Sequence, residues 1–159
     1  MEGVFSEPPH IVKLEKSYRI VLPVALLQQV AWIAGDDPLF GWLLMGNPGR
    51  CRLLSPAEVE NDTATQSLRA RIDAELSTVG SMVEFHDETS LALALRLVQV
   101  RIAPPEPARR LTLPKAIAAI MQIRPGESEL ALWYLHGHIE LWTIETLRSA
   151  VTTPLTEIL

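Results

Sequence analysis

Apolar and polar residues alternate in two stretches of the chain, and the two stretches follow the same order. The first spans residues 10–54 and the second spans residues 97–142. Each begins with two runs rich in β-branched residues, passes through a proline into a helix-like run, and ends with two more alternating runs. A period of two is typical of strands, and a spacing of three or four is typical of helices. The pattern therefore predicts strand, strand, helix, strand, strand, twice over.

The likeness extends to individual residues at one constant offset. The aligned pairs are Glu15 with Glu106, Arg19 with Arg110, Pro23 with Pro114, Gly35 with Gly126, and Trp42 with Trp133. A repeat of this kind indicates two equivalent structural units. Half of the chain is too short to bury an adequate core by itself. We therefore expect two pseudo-symmetric halves that share one core, with these charged, proline and glycine positions as the structural motif of each half.

The repeat also sets the expected boundaries within a single domain over 1–159. The first repeat covers 8–60, a helical insert covers 61–96, and the second repeat covers 97–150. In each repeat the first two runs are expected to form a hairpin. A short helix running into a strand is expected over 91–97.

Prolines and glycines mark the expected ends of the helices. Pro23 and Pro114 follow a strand-like run, and proline favours the first position of a helix. Gly35 and Gly126 follow the helix-like runs, where a left-handed residue often ends a helix. Helices are thus predicted over 24–34 and 115–124, and Ser55-Pro-Ala-Glu58 predicts a capping box at the start of another helix.

Basic residues are concentrated in two short segments, although the chain as a whole is acidic, with a formal net charge of −5. Every lysine lies in the two opening segments of the repeats, which indicates an anion-binding face on an acidic body. The alternative is that these charged side chains are only solvated surface residues of the hairpins and bind no partner. Arg19 and Arg110 are expected to pair with the glutamate four residues earlier or to contact DNA directly. The residues expected to contact phosphate are Lys13, Lys16, Arg109 and Lys115.

Motifs of catalysis are missing from the sequence. It contains no phosphate-binding glycine loop, serine elbow or paired-carboxylate signature, so we expect a protein that is not an enzyme and uses no cofactor. Cys51 lies alone in a predicted strand, and His136 and His138 flank a turn glycine without further metal ligands nearby. The sequence shows no apolar run of membrane-spanning length and no secretion signal, so a cytoplasmic protein is expected.

The order of elements, with an arginine and an apolar-x-Leu-Pro run in each copy, resembles the AbrB/SpoVT swapped-hairpin family of bacterial DNA-binding proteins. Two copies in one chain are similar to the MraZ branch of that family, which carries an Asp-x-x-x-Arg signature in each repeat. The matching positions are Glu15 with Arg19 and Glu106 with Arg110. Two departures are present, since the acid is glutamate in both copies and the usual Lys-Gly-Arg turn is altered.

The resemblance implies an α+β fold, a swapped-hairpin barrel in which the two halves interleave. It also implies ring-like homo-oligomers that bind repeated boxes in duplex DNA, hence a nucleoid-associated transcriptional regulator. Lys13, Lys16, Arg19, Arg109, Arg110 and Lys115 are the implied DNA-binding residues. Two other interpretations remain open. One is the antitoxin of a toxin–antitoxin pair, with a toxin as an additional partner. The other is an assembly module that has lost DNA binding.

Overall fold

A computed structural model of the chain describes residues 8–33, 35–46, 49–79, 96–105 and 108–150. Within these residues the fold is α+β, built on a nearly closed, barrel-shaped antiparallel sheet of eight strands. The strands are β1 His10–Lys13, β2 Arg19–Val21, β3 Leu39–Met45, β4 Arg50–Leu54, β5 Leu97–Ile102, β6 Arg110–Thr112, β7 Glu129–Leu135 and β8 His138–Thr143. The helices are α1 Val24–Leu27, α2 Pro56–Asn61, α3 Thr63–Val79, α4 Lys115–Met121 and α5 at 144–150, with a 3₁₀-helix at Ala31–Ile33.

The order of strands is β1-β7-β8-β4-β3-β5-β6-β2. Every strand of the first repeat therefore has a neighbour from the second repeat: β1 pairs with β7, β2 with β6, β3 with β5, and β4 with β8. Exchanging the two repeats leaves this order unchanged if β1 and β2 are taken as neighbours that close the ring. The topology thus has a pseudo-two-fold symmetry, as the repeat predicts.

The opening runs of the repeats do not form the simple hairpins that the sequence suggests. The turn between β1 and β2 is closed by the Glu15 N–H, which donates to the Arg19 carbonyl at 2.9 Å. Beyond the turn, β1 and β2 pair with β7 and β6 instead of with each other. In the second repeat, β5 and β6 share only the pair Ile102 and Leu111. Each of these strands pairs over more residues with a strand of the other repeat than with its neighbour across the turn, so the two strands diverge after the turn.

The inward-facing side chains of all eight strands form a single apolar cluster that fills the interior of the barrel-shaped sheet. Alternation places Ile20 and Leu111, which occupy equivalent positions of the two repeats, opposite each other and fully buried at the centre of the β2–β6 pair. Leu26 of α1 and Ile117 of α4 contribute to the same cluster. Burial of aliphatic side chains at this density is the main stabilising term in a domain of this size.

Two groups of helices cover part of the outer face of the sheet. The helices α2 and α3 bury Val59, Leu68 and Ile72 beside β3 and β4. On the other side, α5 packs Ile144 and Leu147 against β7 and β8. Between them, the outer face of β4 and β8 is left partly open. No helix of the described residues is long and apolar enough to cross a membrane.

The predicted helix starts are confirmed, but the helix ends differ. Pro23 and Pro114 immediately precede α1 and α4, and Ser55 and Glu58 form the predicted capping box of α2. Both repeat helices are shorter than predicted.

The glycines of the structural motif are left-handed, as expected, with φ of 99° at Gly35 and 81° at Gly126. However, α4 already ends at Gln122, a left-handed residue with φ of 58°, and Gly126 lies in the following turn. The insert contains the predicted helix as α3. The prediction for 91–97 and the motif residue Glu106 fall outside the described residues, except that β5 begins at Leu97.

Candidate nucleic-acid interface

The pairing of β2 with β6 brings the two equivalent arginines onto one surface. In this antiparallel pair, Arg19 lies opposite Thr112 and Val21 lies opposite Arg110. Alternate residues of a strand face opposite sides of the sheet. Since the central residues of both strands face the core, all four of these side chains lie on the outer face. The result is a two-stranded ribbon with one guanidinium group near each end.

Glu15 connects the two arginines of this ribbon. Its carboxylate oxygens lie 3.2 Å from Nε of Arg110 and 3.9 Å from Nε of Arg19. The predicted pairing of Arg19 with the acid four residues earlier is therefore present, whereas the described partner of Arg110 comes from the other repeat. These groups are partly exposed, so such a pair contributes at most about 1 kcal/mol. It mainly fixes the direction of the two guanidinium groups.

The turn that leads into the ribbon is held by Tyr18. The backbone of Tyr18 adopts the left-handed conformation, with φ of 64°. Its N–H donates to the Glu15 carbonyl at 2.9 Å, and its carbonyl accepts from the Leu113 N–H at 2.7 Å. The ammonium group of Lys115 lies 5.6 Å from the centre of the Tyr18 ring, which is within cation–π range. Tyr18 thus anchors the first turn to the second repeat and draws Lys115 towards it.

The three lysines are all exposed, but their surroundings differ. The stem of Lys16 crosses Gly126, where an added Cβ would lie 2.9 Å from Lys16 Cγ. Lys13 lies opposite Glu129 in the β1–β7 pair, so part of its charge is offset. Lys16 and Lys115 are consequently the best-placed lysines for contact with an external anion near the ribbon.

Arg109 is placed differently from the other predicted phosphate contacts. Its side chain is buried, and the residue is 2% exposed. Nη1 donates to the carbonyls of Asp37 at 2.8 Å and Ala103 at 3.2 Å, and Nη2 donates to the carbonyl of Gly35 at 2.6 Å. Adjacent residues of an extended chain face opposite sides, so Arg109 faces inward where Arg110 faces outward. In this fold Arg109 ties two loops together and has no surface for phosphate.

Sequence reasoning missed a second charged cluster, on the outer face of β4 and β8. The Glu140 carboxylate is buried, yet it accepts hydrogen bonds from three side chains. Arg50 Nε and Trp142 Nε1 each donate to Oε1 at 2.9 Å, and Arg52 Nη2 donates to Oε2 at 3.0 Å. Arg52 and Glu140 lie directly opposite each other in the β4–β8 pair. The turn between the last two strands is three residues longer in the first repeat, so the offset between the repeats falls from 91 to 88 after it, and Arg52 and Glu140 become equivalent. Opposite charges at equivalent positions were therefore the available signal.

Breaking this cluster is expected to cost stability. The change of Glu140 to Gln should lower the free energy of unfolding by about 3 kcal/mol, near the lower end for a broken buried ion pair. The side chains of Arg50 and Arg52 are each 36% exposed, so water can solvate part of their charge after the change. Urea unfolding of the wild type, Glu140→Gln and the control Glu145→Gln, an exposed position on α5, measures the difference.

The free energy of unfolding should depend on pH differently in the wild type and in Glu140→Gln. Burial alone raises the pKa of Glu140, but hydrogen bonds from Trp142, Arg50 and Arg52 outweigh it, and the pKa lies below its ordinary value of 4.5. The carboxylate therefore stabilises the folded state fully above that ordinary value, and this contribution is lost as pH falls through the lower, folded-state pKa. The difference in free energy of unfolding between the wild type and Glu140→Gln should become smaller as the pH is lowered. Parallel curves for the two proteins would contradict the buried pair.

His138 and Cys51 both make contacts within the described part of the chain. His138 Nε2 contacts Glu58 Oε2, which links the β7–β8 turn to the start of α2. Burial raises the pKa of Cys51 to about 12, so its thiol is protonated at neutral pH and is a poor nucleophile. Among the residues that the structure describes, no group of three or more His, Cys, Asp or Glu side chains could hold a metal ion.

Comparison with known proteins adds no family to this picture. A scan against protein-family models found no match, and a search of curated proteins also found none.

Proposed function

We propose that this chain is a sequence-specific DNA-binding regulator of the swapped-hairpin type, similar to the MraZ branch, acting as a homo-oligomer in the cytoplasm at the nucleoid. The observation that carries the proposal is the β2–β6 ribbon. Equivalent strands of the two repeats pair there, and Arg19 and Arg110 lie on its outer face. A two-stranded antiparallel ribbon fits the major groove of duplex DNA, where arginine can bind guanine with two hydrogen bonds.

The interleaving of the repeats supports the swapped-hairpin part of the proposal. The strands on either side of the first turn pair with strands of the second repeat, and the strand order is symmetric under exchange of the repeats. One subunit would present a single ribbon with few positive charges. An oligomer would present several ribbons to repeated DNA boxes, and the linked binding events would compensate for a weak single contact.

Phosphate contact is assigned to the exposed lysines and not to Arg109. Lys16 belongs to the turn that contains Tyr18, and the position of Lys115 above the Tyr18 ring limits its freedom. Contacts of this kind position a protein on DNA, whereas contacts of Arg19 and Arg110 with base edges would supply sequence preference. In this proposal Glu15 holds the arginines in place until DNA competes for them.

A second candidate, an assembly module without DNA binding, is favoured by a specific observation. Glu15 contacts both ribbon arginines, and Arg109 is unavailable, so the exposed positive charge is smaller than the sequence suggests. The net charge of −5 also opposes approach to DNA. The two candidates differ in whether the ribbon binds duplex DNA at all.

The salt dependence of DNA binding distinguishes the candidates. The double change Lys16→Gln and Lys115→Gln should weaken binding to duplex DNA from upstream of the protein's own coding sequence. It should also reduce the slope of log affinity against log salt by about 2, because each phosphate contact releases about one counterion. Fluorescence anisotropy at several salt concentrations gives both quantities.

The matched control removes the same charge elsewhere. Arg71 and Arg148 are exposed on α3 and α5, away from the ribbon. The pair Arg71→Gln and Arg148→Gln should leave the slope nearly unchanged. Equal effects of the two double variants would show only general electrostatic attraction. Absence of wild-type binding at low salt would favour the assembly module.

A further inference from the structure

A cleft of about 370 Å³ opens on the outer face of the sheet beside β4. Among the described residues, three arginines, Arg50, Arg52 and Arg96, line it together with one carboxylate, that of Glu140. In the order of strands, the β4–β8 pair lies opposite the β2–β6 ribbon, with two strands between them on either side. The cleft is therefore separate from the proposed DNA interface.

The charges of the cleft are held in a fixed arrangement. Glu140 accepts hydrogen bonds from Nε of Arg50 and from Nε and Nη2 of Arg52, and Nη2 of Arg50 lies 2.8 Å from Oε1, so one buried anion orients the two guanidinium groups. Arg50 also lies 4.5 Å from the centre of the Trp142 ring. Among the described residues, Nη1 of neither arginine takes part in these bonds, so it can face a ligand. Guanidinium groups that are already oriented lose little freedom when they bind an oxyanion.

We propose that this cleft binds the phosphate group of a small molecule. In the described part of the lining, three guanidinium groups and one carboxylate leave an excess of positive charge that matches a phosphate dianion. Arginine forks bind phosphate oxygens with paired, charge-assisted hydrogen bonds. The volume lies in the range of small-ligand sites, and Leu44 and Met45 provide apolar contact for the rest of the molecule.

A neighbouring cleft shows why the site is confined to one side of Arg52. This second cleft, of about 400 Å³, is also lined by Arg52 but contains Glu58, Asp62 and His138. Its two carboxylates repel an anion, whereas the first cleft has a single carboxylate that is already neutralised by arginines. Phosphate is therefore expected only in the cleft that includes Arg96.

Calorimetric titration of the full chain with inorganic phosphate tests the proposal at constant ionic strength. One phosphate per chain should bind saturably at millimolar concentrations. The change Arg96→Gln, at an exposed residue outside the Glu140 hydrogen bonds, should weaken binding at least tenfold. The control Arg71→Gln should bind as the wild type does. Malonate, a dianion that lacks the tetrahedral group of oxygens, should bind more weakly than phosphate.

Several outcomes would overturn the phosphate site. These are the absence of saturable phosphate binding, equal loss in Arg96→Gln and Arg71→Gln, or tighter binding of malonate than of phosphate. If Arg96→Gln misfolds, Arg50→Lys provides the second test, because it keeps the charge but removes the planar fork. DNA affinity should stay unchanged in Arg96→Gln, so this site and the DNA interface can fail independently.

Discussion

Residues 1–79 and 96–159, prepared as separate fragments, are expected to remain unfolded as monomers and to fold when mixed. Each strand of one fragment takes a hydrogen-bonding partner from the other: β1 from β7, β2 from β6, β3 from β5, and β4 from β8. An isolated fragment would expose those strand edges and half of the shared core. Sheets with so little burial are not stable alone. Circular dichroism and thermal unfolding of each fragment and of the mixture measure the effect.

The pseudo-symmetry makes self-pairing of one fragment the main competitor, and charge acts against it. In the whole chain, Arg52 lies opposite Glu140 at the centre of the β4–β8 pair. A dimer of the first fragment would place Arg52 against Arg52, and a dimer of the second would place Glu140 against Glu140. Like charges at a buried pair are strongly unfavourable, so the mixed complex is preferred.

The control for this experiment is the full chain cleaved between residues 79 and 96 after folding. It has the same two pieces and should unfold cooperatively like the mixture. A cooperative transition in either fragment that does not depend on its concentration would contradict the shared core. An unfolding temperature that rises with fragment concentration would show self-pairing. Self-pairing should be weakest for the fragment that contains Glu140.

Local patterns predicted most of the secondary structure because they depend on neighbouring residues. The alternation at β3, β4, β7 and β8, the prolines before α1 and α4, and the capping box of α2 are all found as predicted. The partners of the opening strands could not be predicted in the same way. Whether β1 pairs with β2 or with β7 depends on contacts between distant parts of the chain.

The sequence did not show which of two adjacent arginines faces the surface. Arg109 was predicted as a phosphate contact and Arg110 as an ion-pair partner or DNA contact, both of which need exposure, but Arg109 is buried. Adjacent strand residues cannot both face solvent on the same side, so one of the two had to point inward. Which one does so depends on the register with β2, where Val21 lies opposite Arg110. The sequence by itself does not give that register.

The buried cluster at Glu140 is a contact that the internal repeat of the sequence could have predicted. Arg52 and Glu140 are equivalent residues of opposite charge, and the strands that contain them pair around the pseudo-two-fold axis. A strand pair on such an axis brings equivalent residues together. Opposite charges at equivalent positions therefore predict an ion pair at the axis and favour pairing between the unlike halves.

Replacing Arg109 with Met is expected to lower the free energy of unfolding by about 4 kcal/mol, since each hydrogen bond from a charged donor contributes about 1.5–3 kcal/mol and water can replace only part of that at the exposed Gly35 and Asp37. Arg109 donates to the carbonyls of Gly35, Asp37 and Ala103, and methionine fills much of its volume without a donor. The loop after the 3₁₀-helix and the loop after β5 would lose their common anchor. Urea unfolding measures the loss, and the exposed control Arg19→Met should lose less than about 1 kcal/mol.

The same two variants separate structural stabilisation from DNA recognition. In the folded protein, Arg109→Met should keep the affinity of the wild type for duplex DNA, because its guanidinium does not reach the surface. Arg19→Met should keep most of its stability but lose affinity and sequence preference, because a base contact by arginine contributes about 1–3 kcal/mol of discrimination. If Arg109→Met instead retained wild-type stability and lost DNA binding, Arg109 would belong to the interface, and the inward placement of its side chain would be wrong.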